Sequence, residues 1–426
     1  MKNQLLIKNI NIIPISENTI IKNMDVLVKD GHILKITKTD KNTNHEGQVI
    51  HGKDKFLMPG LWDNLAHIDG GKYLPLFLAN GITSIRDPGN SSDKIFELRD
   101  KIKNREIVAP DLYICGPILG GHPYYWRGSF WTIKTEEEGR KAVKTLNNKK
   151  VDFIKAYVGL PNNIFRAILE QSTKDNLKVT GLTSIEAIEA GQIGIEHLDS
   201  IFNTWSDSAL AEVKWEKTDI KSGSGYWHKA TDIKYNEANF KTLLELMKNK
   251  SIYFTPTLIQ QEKTGKLGEY KESLKDDQLK YLEKSDYENE WKPENMSLWY
   301  ENIYFIYKKE TSKVKDLADN SILLAGSDTP NPFVIPGISL HEELELLSKA
   351  GISNYEILKA ATINGAKFVD KEKSIGTVEE GKVASLLILD SNPLDDINNS
   401  KDISGVILHG NYISKKELDD KVKIYR

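Results

Sequence analysis

The sequence predicts an α/β fold, a (β/α)8 TIM-like barrel over residues 57–369 joined to a small β-sandwich domain built from both chain ends, 1–56 and 370–426. Three observations carry this reading. Strand-like and helix-like segments alternate through the middle of the chain in the βα rhythm of a parallel sheet. Eight strand-like segments fall there, the number that closes a barrel. Short alternating apolar runs stand at both ends, and because chain termini commonly lie close in space, the two sets pair most simply into one discontinuous unit.

Taken in order, residues 4–38 hold the runs LLIKNINII and MDVLVKDGHILKI, broken by Asp30-Gly31, a dipeptide suited to a tight hairpin. FLMPGLWDNLAHID (56–69) then reads as strand, Pro59-Gly60 turn, strand, and a loop holding His67. The later strand-like segments are GITSIRD (81–87), DLYICG (111–116), VDFIKAY (151–157), LKVTG (177–181), IGIEHL (193–198), IYFTPTL (252–258) and ILLAGSD (322–328). Apolar residues at helical spacing predict helices over 136–148, 164–176 and 356–368. Two inserts interrupt the rhythm. Residues 199–250 carry Trp205, Trp215 and Trp227, and residues 259–316 carry charge runs expected to form solvated helix faces or a lid over the barrel mouth. At the far end ASLLILD and GVILHGNYI have strand periodicity, with a turn at His409-Gly410-Asn411.

Composition excludes several classes. A net charge of -3 with interspersed signs lacks the basic face of a nucleic-acid binder. The single Cys115 rules out an intrachain disulfide and a zinc-thiolate cluster, and reads as a buried small hydrophobe. No run approaches a membrane span, and the N-terminal run is interrupted by Lys8, Asn9 and Asn11, unlike a signal peptide. The expectation is a cytoplasmic protein acting on a small molecule, with no nucleic-acid or membrane partner. Homo-oligomerisation is left open.

Barrel enzymes carry their chemistry at the C-terminal ends of the strands. Those positions hold His67 on the first strand, Lys155 and Tyr157 on the fourth, His197 on the sixth and Asp328 on the eighth. A lysine in an apolar strand is costly to bury without a partner or a modification, the alternative being an outward position among the helices. DFIKAY, IEH and AGSD, followed by PGISLHEEL (336–344), EILKAATINGAKF (356–368) and IGTVEEGKVASLLILDSNPLDDI (375–397), resemble the motifs of the metal-dependent amidohydrolase superfamily in order along nearly the whole chain. The chain looks most like the branch of imidazolonepropionase-like and Xaa-Pro-dipeptidase-like members. The resemblance implies a barrel whose strand ends hold two metal ions bridged by a carboxylated lysine, here Lys155. Asp328 would hold a metal and take the proton from water.

Two positions depart from the pattern. The first strand of the superfamily typically reads PGLxDxHxH, and Leu65 replaces the first histidine. The fifth typically ends in a histidine, and Leu182 stands there. Each departure removes one ligand from one of the two implied ions. His67, Lys155, His197 and Asp328 remain, so the expected cofactor is none or a single divalent ion of the zinc type. In GGHPYYWRGSFW (120–131), His122, Tyr124, Tyr125 and Trp126 join Tyr157, Leu65 and Leu182 as candidate walls of an apolar or aromatic pocket.

Three functions fit these residues. One is hydrolysis of a C–N bond, an amide or cyclic amide, with Asp328 as general base and His197 or His122 polarising the carbonyl. Another is a metal-free lyase, isomerase or cyclase using Lys155, Asp328 and His197. The last is a non-catalytic ligand-binding pseudoenzyme.

Overall fold

The structure is a computed structural model that describes residues 4–40, 45–68, 70–90, 92–121, 130–157, 159–181, 185–205, 236–285, 287–288, 291, 304, 307–308 and 310–425. Both chain ends build one sheet of eight strands. Gln4–Ile12 pairs with Ile21–Lys29, with Gln48–His51 and with Phe56–Pro59. Phe56–Pro59 pairs antiparallel with Leu386–Leu389, setting Leu57 opposite Ile388, and this seam joins the N-terminal strands to the C-terminal ones. Asp30 and Gly31 both take positive φ, at 51° and 82°, and make the two-residue turn that Asp-Gly favours. The second hairpin turns at His409 and Gly410, with Leu408 opposite Asn411. The sheet curls until the two hairpin tips meet, where the Ala384 N–H donates to Gly31 and the Gly410 N–H to Ala384. Ile7, Ile10, Val26, Leu57, Leu386 and Ile407 fill the space between its halves.

At Pro59-Gly60 the chain passes directly from this sheet into the barrel. A side chain at Gly60 would lie 2.2 Å from the Thr83 hydroxyl, so the close approach of the first two barrel strands requires glycine there. The barrel strands are Leu61–Asp63, Ile82–Asp87, Asp111–Ile114 continued by Ile118–Gly120, Ile154–Ala156, Val179–Gly181, Gly194–Glu196, Tyr253–Thr255 and Ile322–Leu323. Every pairing among them is parallel. Two seams close the ring. The Asp152 N–H donates to Ile114 at 2.9 Å, joining the third and fourth strands. Beyond the first strand, the N–H groups of Asn64 and His67 donate to Ala325 and Thr329, while the Asp328 N–H donates to Leu65. All eight strands thus stand where the apolar pattern places them.

The helix expected over 136–148 is Glu136–Asn148, capped by the Thr135 side chain, which accepts from the Glu138 N–H. The segment 356–368 is two helices, Asn354–Ala360 and Ile363–Phe368, rather than one. The Ala360 and Ala361 carbonyls accept from the backbone N–H groups of Ala325 and Trp62, so barrel strands draw off the acceptors that a continuous helix would use.

The charged insert also differs from expectation at its start. Leu258–Gly265 is largely buried against the helix Ile338–Lys349 rather than solvated, with Lys263 paired to Glu342 at 3.0 Å. Local pattern cannot distinguish a charge facing water from one facing a countercharge on a neighbouring helix. Trp215 and Trp227 lie outside the described residues. Among the described residues no helix is long and apolar enough to cross a membrane.

Within this interface Glu343 accepts from the Ile259 N–H at 2.7 Å, and among the described residues its other carboxyl oxygen has no hydrogen-bond partner. Burial pushes its pKa from 4.5 up to about 8, outweighing the backbone donors Ile259 and Leu258. The native state therefore keeps a proton that the unfolded chain releases. This contribution is complete below about pH 4.5 and is lost as the pH rises toward about 8. Glu343→Gln is expected to match the parent Tm near pH 5 and to exceed it at pH 9, with a gain on the order of a few kcal/mol in denaturant titrations.

Candidate active site

The two closing seams bring His67 and Asp328 together. The His67 Nδ1 lies 3.1 Å from the Gly89 carbonyl, an acceptor only, so Nδ1 carries a hydrogen and the ring is fixed with Nε2 pointing at Asp328 Oδ1, 3.4 Å away. A side chain on Gly89 would sit 2.5 Å from Ile118 and 3.3 Å from the His67 ring, so a larger residue here would crowd Ile118 and press on the imidazole. On the other side, His197 Nδ1 lies 3.7 Å from Asp328 Oδ2 and 2.9 Å from the Thr257 hydroxyl. His197, Thr257 and Asp328 all take left-handed backbone, with φ of 71°, 51° and 58°. Three non-glycine residues in that region at one mouth mark backbone strain of the kind that collects at functional sites.

Beneath the mouth lie carboxyls that the sequence reading did not single out. Asp63 accepts from the Ser327 hydroxyl at 2.6 Å and the Ser327 N–H at 2.9 Å, clamping the first strand to the eighth directly before Asp328. Burial, opposed by those bonds, pushes Asp63 up to about 7. Asp87 accepts from the N–H groups of Ile68 and Gly89 and stands 3.8 Å from His67 Nδ1, and burial raises its pKa above the ordinary carboxylate range. The aspartate of the PGLxDxHxH pattern was the available signal for Asp63.

Lys155 does not reach this group at hydrogen-bond distance. Its Nζ pairs with Glu196 Oε2 at 2.8 Å, and both side chains are almost wholly buried. Glu196 Oε1 takes Arg86 at 3.0 Å and the Thr180 hydroxyl at 3.1 Å. Burial raises the Glu196 pKa, but Lys155 and Arg86 outweigh it and hold the carboxyl at about 2. The Arg86 guanidinium lies over the Phe368 and Phe153 rings, 4.5 and 5.1 Å from their centroids. The Tyr157 ring covers the Lys155 Nζ at 5.2 Å and lies 5.8 Å from the Phe130 ring. Leu65 is fully buried. Leu182, His122, Tyr124, Tyr125 and Trp126 lie outside the described residues.

The paired ions implied by the resemblance do not fit these side chains. Leu65 offers no donor, Lys155 is engaged by Glu196, and His67 and His197 face different oxygens of Asp328. Among the described residues no group of three or more His, Cys, Asp or Glu side chains is arranged to hold an ion.

A closed parallel barrel with histidine and aspartate at its mouth, beside a sheet made from both termini, defines an amidohydrolase-type architecture. The family model described as "Amidohydrolase family" matches residues 74–413, well over half the chain, and the chain belongs to that family as an enzyme of the amidohydrolase type. It is 22% identical to a 5-methylthioadenosine/S-adenosylhomocysteine deaminase of Caldanaerobacter subterraneus subsp. tengcongensis, over 99% of this chain and 95% of the relative. A shorter match, 31% identical over 22% of this chain and 22% of the relative, is to an imidazolonepropionase of Treponema denticola. A Xaa-Pro dipeptidase crystallised with bound methionine superposes with a TM-score of 0.71 at 16% identity, covering 97% of this chain and all of that one, a likeness of fold.

Gly89→Ala is expected to cost about 1–3 kcal/mol through crowding of Ile118 and to displace His67. Adding Ile118→Ala should return part of the Tm. A Tm unchanged by Gly89→Ala in thermal melts would mean that the backbone does not pass this close to Ile118.

Proposed function

We propose that this chain hydrolyses a C–N bond, an amide or cyclic amide, in a small apolar or aromatic substrate, with a degenerate metal centre binding at most one divalent ion. Asp328 is the general base. The observation carrying this reading is the Asp328 carboxylate between two imidazoles, at 3.4 Å from His67 Nε2 and 3.7 Å from His197 Nδ1. Asp328 takes a proton from water as the oxygen attacks the carbonyl carbon. It then delivers that proton to the nitrogen as the C–N bond breaks, so one carboxylate serves both halves of the reaction. Buried Leu65 and the neighbouring pair of rings, Phe130 and Tyr157, support an apolar or aromatic substrate. A lyase, isomerase or cyclase using Lys155 would need its amine at the mouth, and the pairing with Glu196 favours hydrolysis instead.

The test is a panel of N-acyl amino acids, aromatic amides and cyclic amides assayed with the parent chain and Asp328→Asn. The parent is expected to turn over at least one member. Asp328→Asn should lower kcat about 10²- to 10⁴-fold with little change in KM. Full turnover by Asp328→Asn would remove Asp328 from the base role.

A further inference from the structure

The buried carboxyl of Glu343 takes no step in the proposed hydrolysis, yet it grips the segment that carries Thr257 to His197. We propose that Glu343 is a positioning residue for the active site: by capping the helix Leu258–Gly265 from a neighbouring helix, it leaves the Thr257 hydroxyl free to orient the His197 imidazole beside Asp328. This rests on, and deepens, the hydrolytic reading, in which His197 flanks the Asp328 base.

Three observations support it. Glu343 is 0% exposed and accepts from the Ile259 N–H at 2.7 Å, with the Leu258 N–H as a second donor. These two residues open the helix that follows the seventh strand, and N–H groups at that position have no partner within their own helix. Thr257 stands at the N-cap, where a threonine hydroxyl ordinarily accepts from such a group. Here its side chain makes no cap hydrogen bond, and its hydroxyl lies 2.9 Å from His197 Nδ1 instead. Finally, Thr257 holds a φ of 51°, uncommon for a β-branched residue and kept only where the surroundings enforce it. Glu343 grips the chain directly after Thr257, and the Leu198 N–H donates to the Pro256 carbonyl directly before it.

The consequence of removing the carboxyl follows from these contacts. The helix start would be left with buried donors lacking an acceptor, and the nearest replacement is the Thr257 hydroxyl. An N-cap residue that bonds its own helix ordinarily has extended backbone, so taking up that duty would release the left-handed conformation and draw the hydroxyl off His197.

The experiment is ¹H–¹⁵N NMR of the full-length chain labelled at histidine, the His197 ring signals being those lost in His197→Gln. Glu343→Leu, which removes the acceptor, and Thr257→Val are expected to move the His197 ring nitrogen shifts. Glu343→Gln, which keeps an acceptor, should leave them at the parent positions. Shifts that stay in place in Glu343→Leu, or that move as far in Glu343→Gln, overturn the proposal. Should Glu343→Leu fail to fold, Glu343→Asp, which withdraws the carboxyl by one methylene, is read in the same way. The second readout is turnover of an amide that the parent hydrolyses. Glu343→Leu should lower kcat about 10- to 100-fold with little change in KM, Glu343→Gln should restore most of it, and adding Thr257→Val to Glu343→Leu should cost little more. Losses that multiply in the double variant overturn the proposal, because Glu343 would then act by a route other than Thr257. A chain that turns over no amide defeats the hydrolase reading and leaves the His197 shifts to decide this one.

Discussion

Two buried cations, Arg86 and Lys155, share a single ionised carboxylate, Glu196, inside the barrel. This triad links the second, fourth and sixth strands. The Phe153 and Phe368 rings lie against the guanidinium, and the Tyr157 ring lies against the Lys155 Nζ. Leaving any one of these charges unpaired in such a place costs several kcal/mol, so the three must be present together or replaced together. The pairing with Glu196 also keeps Lys155 out of hydrogen-bond reach of His67, His197 and Asp328, the residues on which the proposed hydrolysis rests.

The mouth depends in turn on the seam between the first and eighth strands. Asp63 and Ser327 lock the two strands side by side, and just beyond them the Asp328 N–H donates to the Leu65 carbonyl. That register decides that His67 faces Asp328. Gly89, on the second strand's loop, then fixes which nitrogen of His67 does so. A carboxylate held between two oriented imidazoles can accept and return a proton within one turnover, and this is the physical content of assigning a hydrolytic reaction to a family member with leucine among its expected ligands.

Much of this was legible in the sequence. The eight barrel strands follow from their apolar runs, and the two hairpins follow from Asp30-Gly31 and His409-Gly410, where backbone of positive φ is needed. His67, His197 and Asp328 stood out because they end apolar strands. Glu196 did not, although it precedes His197 in the same motif, because its meaning lies in partners 41 and 110 positions away along the chain, Lys155 and Arg86. Asp63 had a signal, the aspartate of the PGLxDxHxH pattern, but its clamp on Ser327, 264 residues distant, was not legible. Helix spacing over 356–368 could not reveal that barrel strands would claim the carbonyls of Ala360 and Ala361. Nor could the charge run beginning at 259 show that Lys263 faces Glu342 rather than solvent.

The central claim is that the barrel works through an aspartate and two imidazoles without a pair of bridged cations. The most direct measurement is the divalent-metal content of the full-length chain, purified in the presence of excess zinc and desalted, by inductively coupled plasma mass spectrometry. The account predicts no more than one ion per chain. Two tightly retained ions per chain would contradict it.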